Sequence, residues 1–565
     1  MKDKHMKYCI TKLLFALQAI IITGYFIGAS AHADPVVFFS DLISAPKSGW
    51  SSAESDKGAI VTIWGRGFGA TRGNSYVTVN GVNLTADSDY KDTWAKKNNP
   101  VPFLQTITFQ LNNSMQTGDG NISVTVDGKT SSTIPFRINT IGSIYFIDIN
   151  AGGTGSGTFT DPWSDLKNFI DTMGPGDVGY FRGGTYDEKY NGGKSNIWVR
   201  NTEPSGTAQD PIGFVGYPNE VAMFDSWTNG DSSNFNKSIY IQSDYITVAK
   251  LATRAFSRAI QVGHYGRMIG NDAIGVQQLV GGDGIIHTGS DGVKIYGNAV
   301  HGGRSGNRLD HAIYVDGCQD EAPNDIAYNY SYDNLIDRGP HLVDNHQRDR
   351  CSSTVYQKSN HWRHNLVSCE AEASRGIGIY DLSWDTGEAN EPDPAYVYNN
   401  ILVGCGDGWH GAMYHSNGHA VFYNNILYNN KGTGIQVIDR GLLLSTEVIN
   451  NVIVNNTTDE YVRVDGDGDE NKVTYDRNAY FNGPANTIPS SDSNSVTADP
   501  MITVDSTAYN PVIMHKDSPL INAGSSAVSS LVSDDFFGNT RTGTYDIGAV
   551  EWKVAPPMPP YLQVE

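Results

Sequence analysis

The chain has 565 residues, a formal net charge of −21, 61 glycines, 30 tyrosines and only 18% charged residues. This composition excludes a disordered, collagenous or basic nucleic-acid-binding protein. A chain of this length holds several domains, or one elongated domain that grows by repetition instead of enlarging a single core.

Lysines at positions 2, 4, 7 and 12 precede an apolar stretch from Leu13 to Gly28, followed by Ala31-His32-Ala33. This order of basic, apolar and small-x-small residues predicts a signal peptide over residues 1–33, with the mature chain starting at Asp34 and exported to the periplasm or beyond. No later segment is long enough to span a bilayer as an apolar helix. Loss of residues 1–33 removes a net +3 and leaves about −24, which disfavours nucleic acid and anionic membranes as partners and repels a polyanion at long range. Cys318, Cys351, Cys369 and Cys405 then remain. None has the CxxC spacing of a structural zinc site, and an oxidising compartment favours two disulfides, with buried free thiols as the alternative.

From residue 34 to 140, short alternating runs such as Ala59–Ile63, Tyr76–Val79 and Asn121–Val126 are separated by turn signals, which predicts a small β-sandwich. The stretch Val61–Gly69, with Val77–Gly81 and Val124–Gly128, resembles the immunoglobulin-like IPT/TIG domain. The resemblance implies a spacer or accessory binding unit and no chemistry.

A second composition begins at Ser143. Tyr145–Asp148, glycine-rich Gly152–Gly157, Asp161-Pro-Trp163, a short amphipathic helix through Leu166 and Phe169, Pro175–Asp177 and Gly183–Tyr186 follow in order. This series resembles the N-terminal cap of secreted right-handed parallel β-helix proteins related to pectate and alginate lyases, and Pro211–Asn219 is similar to their first full coil. The repeats speak for themselves. Asparagine recurs at Asn298, Asn329, Asn365, Asn400, Asn425, Asn451 and Asn478, at separations of 31, 36, 35, 25, 26 and 27 residues, and precedes an apolar pair at each of these except Asn329, where Tyr330-Ser331 follows. Each stacked coil needs a tight bend; Asn tolerates the left-handed backbone there, and its amide can bond the Asn of the next coil. The expected fold is therefore all-β, a right-handed parallel β-helix over residues 141–487 preceded by the sandwich. Residues 488–565, with Ala498–Pro500, Ser518–Gly524 and Asp546–Ala549, resemble the closing segment of the same proteins and are expected to cover the last coil's open edge.

Between asparagines a further strand recurs: Ala259–Val262, Gly284–His287, Ala312–Val315, Pro340–Val343, Gly376–Ile379, Gly411–Tyr414 and Gly434–Val437. The β-helix lyase resemblance makes this the first sheet, whose outer face and flanking loops form the usual substrate groove. With Ile313 and Val315 inward, alternation turns Tyr314 and Asp316 outward, and the same alignment exposes His341, Tyr380 and His415 along a strip of roughly 15 Å. Arg338, Arg375 and His410 stand at strand starts; Asp344, Asp381 and Asp439 stand at strand ends. The following loops add Arg348 and Arg350 to pair with uronate carboxylates, and Trp384 and Trp409 to stack on pyranose faces.

Two mechanisms fit these residue types. In β-elimination from a uronate-containing glycan, Arg375 neutralises the carboxylate, His341 or His415 removes the C5 proton, and Tyr380 or Tyr314 protonates the leaving oxygen. In hydrolysis, Asp344 with Asp381, or Asp316 with Asp381, flanks the scissile bond. The reading favours a secreted polysaccharide lyase, with a glycoside hydrolase, a uronate epimerase or a non-catalytic adhesion rod as alternatives. The first-sheet strands are expected to contain no lysine, so the Lys/Arg machinery of several β-helix lyases does not carry over residue by residue. Asp465, Asp467 and Asp469 alternate as in calcium loops without completing an EF-hand, so a structural Ca²⁺ or a solvated acidic turn is expected there; no other cofactor is required. The expected partner is a polysaccharide, met by a monomer.

Overall fold

Two turns show at once how local sequence sets the sandwich. Asn80-Gly81 and Asp127-Gly128 both have positive φ, at 46° and 81° and at 48° and 82°, the geometry that closes two-residue hairpins without splaying their strands. The hairpins Tyr76–Val79 with Val82–Leu84, and Gly118–Val126 with Lys129–Thr130, belong to one sheet; Val36–Ser40, Lys57–Arg66, Gln105–Asn112 and Lys96–Lys97 form the other. Alternate residues (Val61, Ile63, Ile107, Phe109, Val77, Val79, Ile122, Val124) are fully buried between them.

The computed structural model describes residues 34–97, 101–188, 195–227, 237–255, 257–275, 284–305, 311–315, 322–336, 360–369, 375–380, 393–406, 410–456, 460–466, 470–484 and 487–553. The structure discussed lies in one unit, Pro35–Trp552.

After the sandwich the chain winds into a parallel β-helix. Its second sheet runs from Ile144–Ile147 to Val473–Asp476, and its third from Gly184–Tyr186 to Ala479–Phe481. The first sheet is described in two stretches. One joins Ser195–Val199, Lys237–Ile241, Ile260–Gln261, Gly284–Thr288 and His311–Val315; the other joins Ile377–Tyr380, the starts of Met413–Tyr423 and Ile435–Ile449, and Val462–Gly466. The expected short helix forms at Lys167–Thr172, burying Phe169 and Ile170 under the first coils.

The asparagine repeat is a continuous buried ladder. At each step from Asn271 through Asn298, Asn329, Asn365, Asn400, Asn425 and Asn451 to Asn478, the backbone N–H and Nδ2 of one Asn both donate to Oδ1 of the next, at 2.9–3.1 Å. The last rung donates instead to the carboxylate of Asp492, at 2.8 Å from Nδ2. The left-handed backbone, however, belongs to the residue before each rung: Tyr328, His364, Asn399, Asn424, Asn450 and Arg477 have φ between 52° and 60°. The ladder Asn is selected for its amide, and the bend strain falls on its neighbour.

Residues from Asp492 to Val496 close the last coil, with Val496 bridging to Ala479. The chain then turns back along the flank, beyond the expected role of a cap. Leu520, Phe536, Ile547 and Ala549 pack with Leu366, Ile401, Ile426 and Val452 on the outer side of the bends.

The sandwich is more than a spacer; it is fastened to the same flank. Arg267 of the second sheet donates to the backbone oxygens of Asp41 (2.6 Å) and Ser40 (2.8 Å), and burial pushes its guanidinium down to about 10. The buried carboxylate of Asp41 meets Lys250 Nζ at 2.9 Å. Tyr180 Oη accepts from Ile60 N and donates to Ile60 O. Arg66 donates to Tyr509 O at 2.8 Å and lies between the rings of Tyr509 and Phe537, so the returning segment also grips the sandwich.

Candidate functional site

In the early coils Ile197, Val199, Ile239, Ile241, Ile260, Ile286, Ile313 and Val315 fill the interior. Period-two alternation therefore sends Trp198, Tyr240, Gln261, His287 and Tyr314 to the outer face of the first sheet, and the strand register sets them in one row. Trp198 and Tyr240 stack with centroids 6.2 Å apart. Cations edge them: the Arg200 guanidinium is 4.7 Å from the Trp198 ring and Lys237 Nζ 3.4 Å from the Tyr240 ring. Lys237 and Arg258 both donate to Gln261 Oε1, at 3.3 and 2.7 Å. Further along, Tyr314 stacks on His287 (5.3 Å) and His311 (4.8 Å). Lys237 opens a first-sheet strand, which corrects the expectation of a lysine-free sheet. Trp198 and Tyr240 lie upstream of the recurring strands that begin at Ala259, although Ile197-Trp-Val199 and Ile239-Tyr-Ile241 carry the same alternation.

The later coils bring Arg375, His410 and Tyr414 together. Arg375 Nη2 lies 2.6 Å from His410 Nε2, a contact in which the guanidinium donates and the ring nitrogen accepts. The Arg375 guanidinium is 5.4 Å from the Tyr414 ring centroid. Tyr414 lies over Gly378 of the preceding coil, where an added Cβ would fall 2.1 Å from its ring. Cys369 and Cys405, which form a disulfide with Cα atoms 4.9 Å apart, lead into the two segments that carry Arg375 and His410.

His415 is a correction. Met413 pairs with Ile377 and Ile435, and His415 with Ile379 and Val437, all interior positions, so Tyr414 and Ser416 take the outer face instead. His415 is fully buried, its Nδ1 lies 2.9 Å from Thr446 Oγ1, and burial pushes its imidazole down to about 3. A neutral interior imidazole cannot reach a substrate proton on the outer wall. Asp439 is likewise occupied, buried and paired with Lys472 at 3.1 Å.

Tyr380 closes the strand Ile377–Tyr380, opposite Ser416. Asp316, His341, Asp344, Arg348, Arg350, Asp381, Trp384, Trp409, Asp467 and Asp469 lie outside the described residues, as do Arg338, Cys318 and Cys351. Asp465 is described: its Oδ2 accepts from Gln436 Nε2 (2.6 Å) and Arg463 Nε (2.9 Å). Among the described residues no group of three or more His, Cys, Asp or Glu side chains is arranged to hold a metal ion, and no helix is long and apolar enough to cross a membrane.

The IPT/TIG domain family matches residues 46–138. No curated protein matches the chain's sequence. Among solved structures, the chain is similar to pectate lyase Pel9A (16% identity, TM-score 0.38, covering 74% of this chain and 98% of that one). It is also similar to XylC in complex with xylose (10%, 0.44, 72% and 98%) and to a family 28 exopolygalacturonase of Yersinia enterocolitica (10%, 0.32, 78% and 98%).

Proposed function

We propose that the outer face of the first sheet binds a uronate-containing polysaccharide and cleaves it by β-elimination. The observation that carries this reading is the row of Trp198, Tyr240 and Gln261 edged by Arg200, Lys237 and Arg258. Flat aromatic rings suit the apolar faces of pyranoses, and adjacent cations suit carboxylates spaced along a chain. This local charge offsets the long-range repulsion from an exported chain of net charge about −24.

In the proposed reaction Arg375 neutralises the uronate carboxylate, lowering the cost of developing negative charge at C5. His410, through its contact with Arg375 Nη2, fixes the direction of the guanidinium. His341 takes the C5 proton, and Tyr380 returns a proton to the leaving glycosidic oxygen, so the bond breaks without water being consumed. His415 has no part in this scheme. The same reading has residues 1–33 direct export, in keeping with the Cys369–Cys405 disulfide.

The test is incubation of the purified chain with polygalacturonate, alginate and neutral glycans, following new reducing ends and the ultraviolet absorbance of unsaturated products together. Elimination predicts both signals on a polyuronate. Reducing ends without unsaturation would assign hydrolysis and refute the proposal, as would turnover confined to neutral glycans.

A further inference from the structure

Where the first-sheet strands Lys237–Ile241, Ile260–Gln261 and Gly284–Thr288 end, a pocket of about 380 Å³ opens. It shares Tyr240 and Gln261 with the cation-edged row, and Gln242, Asp244 and His264 carry it beyond the strand ends. All five residues are half-buried, so solvent and a ligand can reach them. The protein holds each polar side chain on one side and leaves it open on the other. Gln261 Oε1 accepts from Lys237 and Arg258, and Gln242 Oε1 accepts from Trp198 Nε1 at 3.0 Å. Both amides are thereby oriented, and neither Nε2 has a partner among the described residues. His264 Nδ1 accepts from Asp291 N–H at 3.3 Å, a role that leaves the ring proton on Nε2. The Asp291 carboxylate, 3.8 Å from the same Nδ1, balances any charge the ring takes up. Asp244 Oδ1 accepts from His264 N–H at 3.2 Å, and its Oδ2 has no partner among the described residues.

The open valences are therefore three N–H donor groups and one carboxylate oxygen. Asp244 is the only carboxylate among the described lining residues, and no lysine or arginine lines the pocket with it. A uronate carboxylate accepts but cannot donate, so it leaves Asp244 Oδ2 unsatisfied and meets its charge at close range. A hard cation takes roughly six or more oxygen ligands, whereas amide and imidazole N–H groups present hydrogen where it needs lone pairs. A sugar hydroxyl donates and accepts at once, so neighbouring hydroxyls can satisfy the carboxylate and the N–H groups together. The volume falls within the range of small-molecule sites.

We propose that this pocket takes a neutral sugar residue of the glycan whose uronates lie along the cation-edged row, so that the substrate is a heteropolysaccharide in which neutral residues adjoin uronates. The inference rests on the first-sheet reading and narrows its substrate class. Arg200, Lys237 and Arg258 favour a carboxylate on the row, and Asp244 disfavours one at the strand ends, so adjoining subsites discriminate in opposite senses.

The experiment is calorimetric titration of the full chain with tetragalacturonate, cellotetraose and a tetrasaccharide of alternating galacturonate and rhamnose, repeated on Asp244→Asn, which keeps an oxygen for His264 N–H. The wild type is expected to bind the mixed tetrasaccharide at least tenfold tighter than either of the others. D244N should weaken that binding at least tenfold, with tetragalacturonate binding no weaker and thermal unfolding unchanged. Equal binding of the mixed tetrasaccharide and tetragalacturonate by the wild type would overturn the proposal whatever the variant does. So would mixed binding that D244N leaves unchanged, or that falls in step with tetragalacturonate binding. Tetragalacturonate binding that is lost in Trp198→Ala leaves the first-sheet reading standing, so that these failures fall on the pocket alone; if neither uronate-bearing sugar binds the wild type, both fall.

Discussion

The asparagine ladder sets a quantitative test of how the solenoid is held together. Asn400 is fully buried and sits mid-ladder. Its Oδ1 accepts from both the backbone N–H and Nδ2 of Asn365, at 3.0 Å each, and its Nδ2 donates to Asn425 Oδ1 and to Trp362 O. Leucine has nearly the same shape, so Asn400→Leu leaves little cavity and isolates the polar loss. The two Asn365 donors are then left in a dry interior, at ~1–3 kcal/mol each. The expected loss is about 4 kcal/mol of unfolding free energy, read from the midpoint of urea unfolding followed by far-ultraviolet circular dichroism with the slope unchanged. Asn455→Gly is the control: its backbone is left-handed, at φ 59°, which glycine adopts without strain, its side chain belongs to a second, exposed asparagine row with Asn429 and Asn482, and the expected change is below about 1 kcal/mol. A loss below about 1 kcal/mol in N400L would refute the view that buried rungs contribute through unsatisfied partners.

Four further variants have outcomes set by the packing and the charges. Arg267→Met removes the guanidinium that holds Ser40 O and Asp41 O; it should lower stability by about 3 kcal/mol and make the sandwich sensitive to limited proteolysis while the β-helix resists. Burial alone would raise the Asp325 carboxyl, but the Arg363 guanidinium, in a two-pronged contact at 2.9–3.0 Å, outweighs it and holds the group at about 2, below its unfolded value of 3.8. The stability this supplies is present above pH 3.8 and is lost as pH falls from there through about 2, so Asp325→Asn should lack that part of the acid dependence in pH-resolved thermal unfolding. Gly378→Ala places a Cβ 2.1 Å from the Tyr414 ring; it should cost ~1–3 kcal/mol and lower turnover of any polyuronate, whereas Arg375→Ala should lower turnover ~10²–10³-fold at near-wild-type stability.

Much of the solenoid was legible before folding because its determinants repeat. Asn298 to Asn478 mark the bends, since each rung needs a side chain that donates and accepts at once, and that requirement leaves a trace at every coil. Alternation likewise placed Tyr314 on the outer face, where it stacks on His287. The error at His415 came from aligning Gly411 with Gly376 and Gly434. In the structure Met413 is the residue level with Ile377 and Ile435, and a slip of one residue reverses every side chain of a strand. Only inter-strand hydrogen bonding fixes that register.

Other features belong to no local pattern. The pairing of Cys369 with Cys405, the contact of Arg375 with His410, and the grip of Arg267 and Arg66 on distant backbone oxygens join residues 35 to 443 positions apart. The sequence by itself determined the coil and the sandwich, because period and turn chemistry are properties of neighbouring residues. Only the tertiary structure decided which wall each side chain faces, where the sandwich docks and what the returning C-terminal segment covers, because those depend on complementarity between surfaces that exist only once the coils have stacked.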